Sequence, residues 1–323
     1  MKLTLREAQN IADLYDLGKV KKIKYFPSGW VNYNYSLETT KGKFMVQIVI
    51  GEFNNWKKEK MEIKFKVLNH LRKKKFPFEI TIPIKNKKGK YLGKVANKNF
   101  WVYSFIEGEI VKKITKNHIN QISKMVAIYH NSIKNLKIKD KEFLDWGFTH
   151  TKYKKLRKIK PTTKIKKLIL DNIDLFEDIL NDIKELDFNK HMLVTHSDIN
   201  RTNLLFENGR LKAVLDFDNI QVSPRVNDLA MALTRFRFMG VGWSKKKQDV
   251  LLKEYEKINK LTKEEKNLII PLILKDNIGD FWWLYDGLKK HKHLAYQSLV
   301  DKIDEAKKLY KQWKKQDWKR VMN

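Results

Sequence analysis

The segment His196-Ser197-Asp198-Ile199-Asn200-Arg201-Thr202-Asn203 sets a carboxylate, and an amide five residues on, directly after the apolar run Leu193-Val194-Thr195. A second acidic group, Asp216, followed by Phe217 and Asp218, comes at the end of the next apolar run, Ala213-Val214-Leu215. Leu204-Leu205-Phe206 and Ala213-Val214-Leu215 read as two short strands joined by Glu207-Asn208-Gly209, a hairpin-turn signature. A hairpin brings its ends together, so two carboxylates and an amide converge. Hard oxygen ligands of this kind suit Mg²⁺, which takes few protein groups and keeps water and phosphate oxygens in the rest of its shell. One carboxylate is left over for a proton. Taken singly, each of these residues is equally an ordinary turn or cap residue; their joint spacing carries the argument. His196 reads as a core hydrogen-bonding residue.

The elements that must hold this hairpin follow from periodicity. Leu3 to Leu17 has helical spacing and ends at Gly18, a C-cap residue. Trp30 to Glu38 alternates, Thr40-Lys41-Gly42 supplies a turn, and Phe44 to Ile50 is an apolar run of strand length. Lys57 to Lys75 carries Met61, Phe65, Leu68 and Leu71 on one face, an amphipathic helix. Ile80 to Ile84, Tyr91 to Val95 and Phe100 to Ile106 read as three further strands, which makes a five-stranded sheet with one inserted helix. Beyond Glu107-Gly108 the spacing turns helical over 114–133, 163–186, 226–238, 245–259, 263–288 and 296–318. The expected class is α+β, with residues 1–106 as a small lobe and 107–323 as a larger, mainly helical one that contains the hairpin.

With 323 residues and 42% hydrophobic side chains, the chain is long and apolar enough to bury a core. It has no cysteine, which excludes thiolate nucleophiles, disulfides and Cys-ligated metal sites. The first residues carry charges where a signal peptide would be apolar, and no stretch reaches the length of a membrane span, so the expected location is the cytoplasm and no membrane partner is expected. The 68 Lys+Arg against 37 Asp+Glu give a net charge of +31. Such a surface suits nucleic acid, anionic lipid or a phosphorylated ligand. Codon usage rich in A and T accounts for it as well, because the lysines are spread along the whole chain and Arg, the better base reader, is scarce. The charge is therefore compatible with nonspecific polyanion binding, and no specific nucleic-acid partner is expected.

His-x-Asp-x-x-x-x-Asn over His196–Asn203, followed by Asp216-Phe217-Asp218 and by Asn227-Asp228-Leu229-Ala230, resembles the catalytic and metal loops of the protein-kinase-like small-molecule phosphotransferases. That superfamily includes aminoglycoside phosphotransferases, choline kinase and type II homoserine kinase. The resemblance implies a bilobal protein-kinase-like fold, ATP and Mg²⁺, and a small-molecule hydroxyl acceptor. It also implies roles: Asp198 accepts or orients the hydroxyl proton, Asn203 and Asp216 hold the metal, and Asp228 steadies the catalytic loop. Tyr15 to Gly18, Gly29 to Tyr35, Thr39 to Phe44 and Tyr255 to Glu265 are similar in order and spacing to type II homoserine kinase. Homoserine or a related amino alcohol is then the leading acceptor, with choline, ethanolamine or an aminoglycoside as alternatives.

On the nucleotide side the resemblance points to Gly29, Gln47, Glu62 (or Glu59) and the hinge residue Glu107. Gln47 is a departure from the wider kinase pattern, which has a phosphate-pairing Lys on that strand; a neutral residue there also fits the homoserine kinase-like branch, and it leaves the phosphate charge to other groups. A catalytically reduced protein that binds nucleotide or nucleic acid on the same fold is the alternative from another class; the intact Asp198, Asn203 and Asp216 argue against it. On the acceptor side stand Asp218, Arg235, Asp280, Trp283 and Asp286. The aromatic and acidic segment 280–286 either walls a quaternary ammonium or packs as core with one acid left for an α-amino group.

Overall fold

The computed structural model describes residues 3–26, 32–50, 55–139, 146–235, 243–287 and 292–315. In chain order the elements are α1 (Leu5–Leu14), β1 (Val20–Phe26), β2 (Asn32–Thr39), β3 (Gly42–Val49), α2 (Asn55–Lys73), β4 (Glu79–Ile80), β5 (Leu92–Val95) and β6 (Lys98–Ser104). There follow α3 (Lys116–Ile133), α4 (Trp146–Arg157), α5 (Lys164–Leu170), α6 (Ile173–Ile183), β7 (Met192–Thr195), β8 (Leu204–Glu207), β9 (Arg210–Val214) and β10 (Gln221–Pro224). The remaining helices are α7 (Val226–Arg235), α8 (Lys245–Tyr255), α9 (Lys263–Asn267), α10 (Ile269–Gly287) and α11 (Lys292–Lys315). They gather into two units, Met1–Val111 with Thr202–Ile220, and Lys112–Arg201 with Gln221–Asn323.

The first unit is built on a five-stranded sheet in the order β1-β2-β3-β6-β5, antiparallel throughout. The number of strands is as expected and the membership is not. β1 escapes the alternation rule because an irregularity between Val20 and Lys22 breaks its register, while Lys21, Lys22 and Lys24 face water. A lysine-rich, bulged strand of this kind suits the sheet edge it occupies. The run Ile80–Ile84, expected in the sheet, supplies instead the two-residue β4, parallel to β9; Pro83 has no N–H with which to continue a ladder.

α1 stops short of Gly18. Asp16 takes a left-handed conformation at φ 56°, and the Leu17 N–H bonds to the Ala12 carbonyl at 2.8 Å, a Schellman closure made without glycine. Gly18 is needed for another reason: at φ 82°, a Cβ there would lie 2.2 Å from Thr40 Oγ1. Ile11, Tyr35, Leu37, Val46, Ile48, Phe100 and Val102 form the core between α1 and the sheet.

The hairpin β8–β9 packs with this unit, although its sequence lies amid the helices. β4 pairs with β9, and Glu109 and Phe206 exchange both backbone hydrogen bonds. The approach is close: a Cβ on Gly108 would sit 2.9 Å from Leu205 Cβ.

In the second unit α10 packs against α6, α7 and α11, and α3 against α8 and β7. β7 pairs with β10 in a small antiparallel sheet. The helix expected over 163–186 is two helices, α5 and α6. Asn172 turns its side chain onto the Leu168 carbonyl at 2.8 Å, a local bond that competes with the helix ladder. The helix expected over 263–288 is α9 and α10, with Pro271 in the first turn of α10, where its missing N–H costs nothing. α4 has no clean apolar period in the sequence, yet its Tyr153 and Leu156 are buried. Among the described residues no helix is long and apolar enough to cross a membrane.

Candidate active site

In the first unit the hairpin turns through Asn208 and Gly209, both at positive φ (49° and 72°), as a two-residue loop requires. Leu204 pairs with Val214, so Asn203 precedes and Asp216 follows the same end of the ladder, and the Leu215 N–H bonds to the Asn203 carbonyl at 2.8 Å. Backbone pairing thus brings Asn203 and Asp216 together, two of the three groups that the sequence sets at the strand ends. Asp216 is held left-handed at φ 59°, ψ 69°, a conformation costly for a residue with a Cβ, and accepts from the Asp218 N–H at 3.3 Å.

Asp218 is the anchor of this loop. Its Oδ1 meets Lys64 Nζ at 2.5 Å and its Oδ2 accepts from Asn32 Nδ2 at 2.9 Å. Lys64 also donates to Gln47 Oε1 at 3.5 Å, and Trp101 Nε1 donates to the same oxygen at 2.7 Å. Burial, and then the negative charges of Asp216 and Asp218, hold the Tyr103 hydroxyl well above its ordinary range. The donors that could hold a metal are Asn203 and Asp216, hard oxygens only. Among the described residues no group of three or more His, Cys, Asp or Glu makes an all-protein cage. Two oxygen donors with room for water and phosphate fit Mg²⁺ and fit few other ions as well.

In the second unit β7 runs into the loop that begins at His196. Ser197 is left-handed at φ 59°, and the fully buried Asp228, from the first turn of α7, accepts the N–H groups of His196 and Ser197 at 3.1 and 2.7 Å. The same carboxylate pairs with His130 Nε2 at 3.0 Å, and His130 Nδ1 lies 2.8 Å from the Tyr255 hydroxyl. A buried, charge-assisted cluster therefore pins the strained loop. His196, 1% exposed, accepts the Asp198 N–H through Nδ1, a structural part.

Asp198 Oδ1 accepts from Asn200 Nδ2 at 2.9 Å and from Arg235 Nη1 at 2.6 Å. The other nitrogen of that guanidinium, Nη2, reaches Asp276 Oδ1 on α10 at 2.8 Å, and Lys302 Nζ stands 3.9 Å from Asp276 Oδ2. Burial alone would raise Asp276, but Arg235 and Lys302 outweigh it and hold its carboxyl below the ordinary range. Asp198, Arg235, Asp276 and Lys302 make a chain of alternating charge.

Several expected site residues stand elsewhere. Glu62 and Glu59 are on the exposed face of α2, and the side chain that reaches Gln47 from that helix is Lys64. Asp218, expected on the acceptor side, is engaged by Lys64 and Asn32. Glu107 is exposed and pairs with Lys43 at 2.9 Å. Gly29 lies outside the described residues, and so do the side chains of Asp280, Trp283 and Asp286, whose backbone continues α10. Lys64, Asp276 and Lys302 were missed. Lys64 had left a signal, since it shares the helical stripe of Met61, Phe65 and Leu68 and is a charge among apolar neighbours. Asp276 had left one too, in the apolar helix that begins Ile269-Ile270-Pro271-Leu272-Ile273-Leu274.

Two hard oxygen donors on one hairpin and, in the second unit, a loop carboxylate held by a buried helix acid are groups of the kind that phosphoryl transfer uses. The model of the phosphotransferase enzyme family abbreviated APH matches residues 22–258, and the chain belongs to that family. It is 24% identical over 295 residues to a homoserine kinase of Sinorhizobium fredii (strain NBRC 101917 / NGR234), covering 88% of this chain and 86% of that protein. It is likewise 24% identical over 282 residues to a homoserine kinase of Parvibaculum lavamentivorans, covering 83% and 80%. Among solved structures, a microcompartment-associated aminopropanol kinase covers 99% of both chains at a TM-score of 0.69 and 14% identity. A spectinomycin phosphotransferase in complex with ADP and spectinomycin covers 93% of both at 0.64 and 14% identity. At these identities the solved structures carry the fold alone.

Proposed function

We propose that the chain transfers the γ-phosphoryl group of ATP to the hydroxyl of a small zwitterionic amino alcohol, with homoserine the leading acceptor. The hydroxyl oxygen attacks phosphorus, the bond to the β-phosphate oxygen breaks, and ADP leaves. Asp198 takes or orients the hydroxyl proton, its carboxylate turned by Asn200 and Arg235. Asn203 and Asp216 are the residues that would hold Mg²⁺, which supplies charge neutralisation at the phosphates. ADP in a solved neighbour supports the nucleotide.

The observation that carries the acceptor is Arg235, bonded to Asp198 at 2.6 Å and to Asp276 at 2.8 Å. A guanidinium binds a carboxylate in a forked geometry, and a buried acid beside it suits an ammonium. Two acids and two bases, Asp198, Asp276, Arg235 and Lys302, balance one another. A net-neutral zwitterion keeps that balance, whereas choline or an aminoglycoside adds positive charge that must be met. The homoserine kinase relatives point the same way.

The test is ADP release, coupled to detection of the phosphate ester, with homoserine, 1-amino-2-propanol, choline and spectinomycin in parallel. Homoserine should have the highest kcat/KM, and Arg235→Met should raise KM for homoserine about tenfold or more while changing that for the aminopropanol little. Equal use of homoserine and the aminopropanol by the wild type would mean that no group reads the carboxylate and would remove homoserine from the reading.

A further inference from the structure

We infer that Lys64, on α2, is the cation that binds the nucleotide phosphates, the positive charge having moved from strand β3 to the helix; this rests on the nucleotide reading above. The Lys64 side chain is 4% exposed. Its ammonium meets Asp218 Oδ1 at 2.5 Å and Gln47 Oε1 at 3.5 Å, and stands 4.3 Å from the Trp101 ring centroid. Burying an ammonium is costly even when it is paired, and an apolar residue would fill the stripe of Met61, Phe65 and Leu68 as well. A charge kept there points to a ligand of opposite sign. Among the described residues two of its three N–H donors are taken, by Asp218 and Gln47, and the third can serve a phosphate oxygen.

Gln47 supports this assignment. Its amide oxygen accepts from Trp101 Nε1 and from Lys64, so it faces the ammonium as an acceptor. A lysine at 47 would set a second ammonium within a few ångströms of the first and be repelled. A neutral strand residue is thus compatible with the ammonium that the helix supplies. Lys64 is also tied to the metal-bearing loop, since Asp218 receives it on one oxygen while its own N–H reaches Asp216.

The test needs no acceptor: dissociation constants of ADP and of adenosine are measured by calorimetry on the full chain, with a melting curve for each variant. Lys64→Gln should weaken ADP by about ten- to a hundredfold, the loss of one charge-assisted contact, and leave adenosine unchanged. Gln47→Lys alone should bind ADP no more tightly than wild type. The double variant Gln47→Lys/Lys64→Gln should regain most of the lost ADP affinity, because the two side chains end at the same place. Equal losses for ADP and adenosine in Lys64→Gln, or a double variant no better than the single, would reduce Lys64 to a support for Asp218 and overturn the inference. If Lys64→Gln fails to fold, the double variant decides by the same comparison with wild type. A wild type that binds ADP and a folded Lys64→Gln that binds it equally well would sink Lys64 alone, whereas a wild type that binds no nucleotide would sink the nucleotide reading and Lys64 with it.

Discussion

Asp198 and Asp216 differ in what surrounds them, and substitution should separate their roles. Asp198 accepts from Arg235 and Asn200, so Asp198→Asn keeps the size of the side chain and removes the carboxylate proposed to take the proton. We expect turnover to fall by about a thousandfold or more, with nucleotide affinity nearly unchanged, by single-turnover assay and calorimetry. Asp216→Ala should instead weaken Mg²⁺-ATP binding along with turnover, and an unaltered titration would remove it as a metal donor. Asp276 makes a different expectation. Its carboxyl titrates below the ordinary range in the folded chain, so the stability it contributes is present above the unfolded value of about 3.9 and is lost as pH falls through the lower folded one. Asp276→Asn should cost about 3 kcal/mol at neutral pH, and the gap to wild type should close below about pH 4 in urea melts run across pH.

At the scale of elements, α7 matters through one residue. Asp228 in its first turn holds two N–H groups of the strained loop and pairs with His130 on α3, so one side chain ties loop to helix. Asp228→Asn leaves the Asp198 carboxylate itself in place, yet we expect about a hundredfold loss in kcat, because on the proposed mechanism a displacement of the loop by an ångström misorients Asp198. Adenosine affinity should stay as it was, which separates this loss from unfolding. The hairpin depends on another contact. Gly108→Ala would press a Cβ to 2.9 Å from Leu205 Cβ and should lower stability by about 1–3 kcal/mol. Leu205→Ala in the same chain should recover part of that loss, read by thermal melts of the two variants.

For the whole molecule the dominant quantity is +31 of net charge. Charge spread over a surface binds polyanions by releasing counterions, whatever their sequence. Binding to duplex DNA should therefore fall steeply with salt and be equal for unrelated sequences; a salt-resistant preference for one of them would call for a dedicated surface. The same chain also separates what is local from what is not. The loop after β7, the Asn208-Gly209 turn and the amphipathic stripe of α2 were legible in the sequence, because each is a pattern of residue types over a few positions, set by hydrogen bonds and periods that short stretches impose. Tertiary structure alone decided that Lys64 meets Asp218, separated by 154 positions, and that Arg235 spans Asp198 and Asp276, separated from it by 37 and 41. It also decided that β1 joins the sheet while β4 leaves it for β9. A lysine has the same letter on a solvated face as beneath a tryptophan, and only the packing of distant elements fixes which charge is buried and which partner must answer it.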